Sequence, residues 1–211
     1  MKIINNKEYA IQELKRIATR TNSENNNKIN AIVEEILQEV KNYGDMAVEK
    51  YTRKFDGFNP DPMQVSKEEL KDAWNEIDGN LKSSLELAYN RVKKFHEKEI
   101  PSSFTLKGEH GDTVQRRWLP VKNAGIYIPG GRAAYPSTVL MNAIPATVAG
   151  VEEIIMVSPG NREGKINKTV LAAAHLSGIN KVFRIGGAQA IGALAFGTNQ
   201  INKVDVISGP G

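Results

Sequence analysis

The sequence predicts a mixed α/β fold: an N-terminal helical region with a β-hairpin over residues 1–120, followed by a parallel sheet of βαβαβαβ order over residues 121–211. Three observations predict it. Apolar residues recur at helical spacing up to about Lys98, an alternating stretch follows from Phe104 to Leu119, and from Gly125 onward short β-branched runs alternate with small-residue turns and helical segments. Four strands alternating with three helices are the pattern of a parallel sheet joined by right-handed crossovers.

In the helical region, Tyr9, Leu14 and Ile17 mark a short amphipathic opener, and the polar run Thr21–Asn27 reads as a breaker. Ile29, Ile32, Val33, Ile36, Leu37 and Val40 then share a face until Gly44 stops the helix. Asp45 is expected to cap the next one, which carries Ala47, Val48, Tyr51 and Phe55 and ends at Gly57 before the turn-rich Asn59–Pro62. Ser66 and Glu69 form a capping-box pattern ahead of Leu70, Ala73, Trp74 and Ile77. A fourth stripe, Leu81, Leu85, Ala88, Val92 and Phe95, runs from about Leu81 to Lys98. All of these are packing surfaces, to be covered by one another, by the sheet or by a second subunit. The alternating stretch that follows contains Gly-Glu-His-Gly-Asp at 108–112 and reads as a hairpin with a solvated turn.

The segment from Ala124 to Leu140 converts a strand, Ile126-Tyr127-Ile128, through Pro129-Gly130-Gly131 into a helix that Ser137 or Thr138 can cap, with Pro145 as a kink. Strands at Glu153–Val157, Lys181–Ile185 and Val204–Ser208 alternate with helices at Lys168–Leu176 and Ala188–Phe196. In an open α/β sheet, ligands lie beyond the carboxyl ends of the strands, where glycine turns let the backbone approach a phosphate. The Pro-Gly-Gly turn reads equally well as a turn alone, and no GxGxxG fingerprint follows the strand. The last strand runs into Gly209-Pro210-Gly211 with an edge left open, which predicts an incomplete sheet or one completed by a partner.

Composition narrows the function. The 211 residues are 40% hydrophobic and 25% charged, with no membrane-length apolar run and no signal core at the start, so a cytoplasmic location is expected. There are no cysteines and only three histidines, His96, His110 and His175. Disulfides, thiolate chemistry and cysteine metal sites are thereby excluded, and a histidine-rich metal site is not expected. The net charge of +4 lies wholly in residues 121–211, which hold 8 Lys/Arg against 4 Asp/Glu. That excess suits an anionic cofactor, or acidic partners in another polypeptide segment. No basic block points to nucleic acid.

Four segments, GDMAVEKYTRKFDGF at 44–58, GIYIPGGRAAYPSTVLM at 125–141, GGAQAIGALAFGT at 186–198 and KVDVISGPG at 203–211, resemble histidinol dehydrogenases in wording, order and spacing. The resemblance is to the N-terminal half of that family. It implies an incomplete Rossmann-like NAD-binding domain over 121–211, and an NAD-dependent oxidation of L-histidinol to L-histidine through a bound aldehyde. It also implies a zinc ion that holds the substrate, a Glu-His pair that moves protons, and a homodimer.

Tyr127 and Gln189 match the family's NAD contacts; a third, an asparagine directly after the Gly-Pro-Gly turn, would follow Gly211. The family's zinc ligands and catalytic pair match no residue in these 211, so no catalytic or metal residue is assigned and the chain is expected to be inactive alone. Without the resemblance, Tyr127 reads as a strand-end core residue and Gln189 as a helix cap. Glu109-His110 reads as a solvated turn, His175 as a favourable charge at a helix end and His96 as a surface residue. The alternative function is a non-enzymatic nucleotide-binding or oligomerisation module.

Overall fold

The structure is a computed structural model that describes residues 4–18, 24–130 and 134–210. Five helices come first: α1 (Lys7–Ala18), α2 (Glu24–Tyr43), α3 (Asp45–Phe55), α4 (Lys67–Glu76) and α5 (Gly79–His96). The hairpin β1 (Phe104–Lys107) and β2 (Thr113–Arg116) follows. The rest alternates as β3 (Asn123–Tyr127), α6 (Pro136–Ala149), β4 (Glu153–Val157), α7 (Lys168–Leu176), β5 (Lys181–Phe183), α8 (Gly187–Phe196) and β6 (Val206–Ser208). This is the predicted α/β order.

The four-stranded sheet is parallel throughout, in the order β5-β4-β3-β6. The chain steps outward from β3 to β5 and then crosses back to lay β6 on the other side of β3. That reversal puts α6 and α7 on one face and α8 on the other, because right-handed crossovers taken in opposite directions land on opposite faces. Alternate strand residues divide accordingly. Ile126, Met156 and Val182 enter a core with α4 to α7, whereas Ile155, Val157 and Phe183 enter a second core with α2, α3 and α8. The helices of residues 1–120 therefore cover both layers of the sheet. Gly192 shows how closely: a Cβ there would meet Leu37 and Val40 of α2 at 3.2 Å.

The two sheet edges differ. Outside β5, residues 63–65 run antiparallel, with Val65 N–H donating to the Val182 carbonyl at 2.8 Å and Arg184 N–H donating to the Met63 carbonyl at 2.9 Å. Beyond β6 no strand pairs among the described residues, as expected of the open edge.

Several local expectations are corrected. Asp45 is not a cap: Gly44, at φ 54°, is the N-cap, and Asp45 is the first helical residue. A one-residue link between α2 and α3 demands a left-handed turn that glycine adopts readily. The polar breaker expected over 21–27 is shorter than that, since α2 already includes Glu24–Asn27; residues 21–23 lie outside those described. Neither Ser137 nor Thr138 caps α6, which begins at Pro136 with Tyr135 in the cap position and no side-chain bond. Proline suits that first position because its missing N–H has no partner to lose there. The capping box forms by half: Ser66 Oγ accepts the Glu69 N–H at 3.0 Å, while the Glu69 carboxylate turns to Arg184 at 2.7 Å.

The packing stripes are covered unevenly. α3 and α4 bury theirs apart from the exposed Phe55 and the partly buried Trp74, but Tyr9, Leu14 and Ile17 of α1 and Phe95 of α5 are exposed. The hairpin pairs Phe104 with Arg116 and Leu106 with Val114, and all eight of its strand residues are exposed.

Candidate active-site cleft

Three loops build the carboxyl end of the sheet. Pro159, just after β4, sits between Gly130 after β3 and Gly186 after β5, and a Cβ on either glycine would overlap its ring. The loops can close on one another only because both residues lack a side chain. Gly187, at φ 63°, then turns the chain into α8. The N-cap Gly186 supplies no side-chain bond and the first turn of α8 holds no carboxylate. The positive end of the helix thus keeps free N–H groups for an incoming acceptor. One is already taken, by the hydroxyl oxygen of Tyr127, which accepts the Gly187 N–H at 3.2 Å.

Between the ends of β3 and β6 lies a cleft of about 780 Å³. Tyr127, Ile191 and Ile207 form apolar walls with Val33 from α2, Gly187 and Ala188 present the helix end, and Ser208 to Pro210 form the rim. This is where the strand order reverses, the position at which open α/β sheets hold their ligands. Its size is that of a cofactor pocket. Gly209 belongs to the rim because a Cβ there would overlap the Tyr127 carbonyl oxygen, and its φ of 152° disfavours other residues.

Gln189 stands behind the same corner. It is 1% exposed, does not line the cleft, and neither its Oε1 nor its Nε2 has a partner among the described residues. The expectation of a capping glutamine is overturned, since no side chain caps α8. Instead the amide lies against Gly187, where a Cβ would come within 2.8 Å of Oε1. Gly187 therefore touches both residues singled out in the sequence: Tyr127 from the cleft side and Gln189 from the core side.

A family model described as histidinol dehydrogenase matches residues 19–211. The chain belongs to the histidinol dehydrogenase family. It is 87% identical over its whole length to a histidinol dehydrogenase of Prochlorococcus marinus (strain MIT 9312), covering 48% of that protein. It is 54% identical over 181 residues to a histidinol dehydrogenase of Aquifex aeolicus (strain VF5), covering 85% of this chain and 41% of that protein. A crystal structure of histidinol dehydrogenase from Elizabethkingia anophelis superposes with a TM-score of 0.82 at 38% identity, covering 87% of this chain and 42% of that one. The chain spans about half the length of the curated relatives it matches.

The cofactors that the histidinol dehydrogenase family implies fit this chain differently. A dinucleotide suits the cleft, which offers apolar walls for a planar ring and helix N–H groups for a phosphate oxygen; the unsatisfied Gln189 amide lies behind that corner, outside the lining. Zinc does not fit, because no three His, Asp or Glu side chains converge among the described residues. The histidines are occupied elsewhere. His96 Nδ1 lies 2.6 Å from Glu99, His175 lies near the Trp74 ring at the end of α7, and Glu109-His110 is exposed in the hairpin turn. No helix is long and apolar enough to cross a membrane among the described residues.

Sequence reasoning named Tyr127 but missed Val33, Ile191 and Ser208 as cleft residues. Val33 and Ile191 carry no signal beyond helical periodicity, and their place depends on how α2 crosses α8. Ser208 was visible as the end of a strand beside a glycine turn. Gly131 and Arg132, from the Pro-Gly-Gly segment, lie outside the described residues.

Proposed function

We propose that this chain provides one wall of the NAD site of a histidinol dehydrogenase, which oxidises L-histidinol to L-histidine. The observation that carries the reading is the switch-point cleft, with Tyr127 bridging β3 to the start of α8. NAD, when bound, accepts hydride. The chain's own residues position it. Tyr127 offers a ring face to an aromatic base or nicotinamide and a hydroxyl for hydrogen bonding. The first turn of α8 faces a phosphate, and the Gln189 amide supplies both a donor and an acceptor when a polar group enters its corner.

The zinc ligands and the Glu-His pair are supplied from outside these residues, by a C-terminal half fused in a longer polypeptide or provided in trans. Alone, the chain binds dinucleotide and does not turn over histidinol. The family membership and the absence of a three-ligand cluster among the described residues support this division. The test is a titration of the 211-residue chain with NADH followed by fluorescence, paired with an assay for NADH production from histidinol, NAD and zinc. Saturable binding without turnover is expected. Turnover by the isolated chain, or no binding, contradicts the reading.

A further inference from the structure

The rim of the cleft depends on a short strand pinned at its start by Asp205, whose Oδ2 accepts the Lys122 and Asn123 N–H groups at 3.0 and 2.9 Å. β6 has three residues, pairs with β3 only from Val206 to Ser208, and lies at the sheet edge. One side-chain bond ties its end to the opposite layer. Ser208 Oγ lies 2.6 Å from Asn142 Oδ1 on α6, 66 residues away in sequence. The amide orientation follows from its other bond: Nδ2 donates to the Thr138 carbonyl at 2.8 Å, so the oxygen faces Ser208 and the serine hydroxyl donates.

α6 follows β3, whereas Ser208 ends β6, so this bond joins the two sides of the crevice behind its floor. Ser208 is also part of the cleft lining, and Gly209 follows it against the Tyr127 carbonyl. With Asp205 holding the start of the strand, its far end at the rim rests on the pairing to β3 and on this one side-chain bond.

We propose that Asn142 is a positioning residue: through Ser208 it fixes the end of β6 and so sets the width of the β3–β6 crevice. This rests on the reading of that crevice as the NAD site. Asn142 does not line the cleft, so its effect on the ligand passes through the strand.

The test is a double-mutant cycle on the 211-residue chain with Asn142→Ala, Ser208→Ala and the pair, read by NADH affinity, amide hydrogen exchange of residues 203–210 and melting temperature. Each single change is expected to weaken NADH binding about 3- to 10-fold and to speed exchange in that segment by a similar factor, the loss of one hydrogen bond. The double variant is expected to lose no more than either single one. Asn142→Asp keeps an acceptor for Ser208 and is expected to restore both readouts. It also guards against an alanine variant that fails to fold.

Additive losses overturn the proposal. So does a melting temperature that falls while exchange at 203–210 and NADH affinity stay unchanged, which is the mark of a merely structural contact. Should the unmodified chain bind no NADH, the crevice reading fails separately. The exchange cycle then decides the latch: coupled changes uphold it and additive ones overturn it.

Discussion

Tyr127 joins strand and helix with one side chain, the ring walling the cleft and the hydroxyl accepting the Gly187 N–H. Tyr127→Phe keeps the wall and loses the acceptor, so NADH affinity measured by fluorescence titration should fall roughly 2- to 10-fold, one hydrogen bond's worth, with the circular dichroism spectrum unchanged. Asp56 sets a different test. It is the C-cap of α3, its Oδ2 is buried without a partner among the described residues, and burial raises its pKa above the ordinary 3.8. A carboxylate at the negative end of a helix adds to that penalty.

The sign follows from the raised value. Asp56 favours the fold most when acid protonates it and least once pH has risen through its folded pKa. Asp56→Asn should therefore stabilise the chain at pH 7 by about 0.5 kcal/mol, since the group is half-exposed and screened. That gain should disappear below about pH 4, and urea unfolding at both pH values would show it. Tyr127 was singled out in the sequence only through its match to a family NAD contact, because the end of a β-branched strand by itself reads as a core position. The burial of Gln189 was not, because it depends on how closely the turn at Gly187 passes over its side chain.

Among the elements, α4 shows how far local chemistry carries. The Ser66 cap was readable from Ser-x-x-Glu, and Ser66→Ala should cost about 1 kcal/mol of stability in urea unfolding. The second half of the box was not readable. Arg184, 115 residues away and partly buried, claims the Glu69 carboxylate instead. Boundaries shift as well: Pro136 starts α6 before the residues expected to cap it, and β6 pairs with β3 only from Val206, opposite Ala124. At the rim, Gly209 meets two demands at once, a φ near 152° and no Cβ against the Tyr127 carbonyl. Gly209→Ala should therefore weaken NADH binding by about tenfold, as expected when a strained backbone position is denied its glycine. Calorimetric titration against the unmodified chain would measure it.

For the whole molecule, periodicity was enough to predict an α/β order, because helical and strand periods are read from neighbouring residues. It could not predict that α2 and α3 cover one face of the sheet while α4 and α5 pack over the other, since those contacts join residues far apart in sequence. Family membership was legible from four motifs in order, and the comparisons bear it out. The cleft emerges only when β6 is placed beside β3, so the reversal of strand order is the feature on which the account turns. The most direct test is an amide NMR titration of the 15N-labelled chain with NAD. The account predicts saturable shifts, with one common dissociation constant, at Tyr127, Gly187, Ala188, Ile191 and Ile207. Shifts confined to the hairpin at 104–116, or none that saturate, would contradict it.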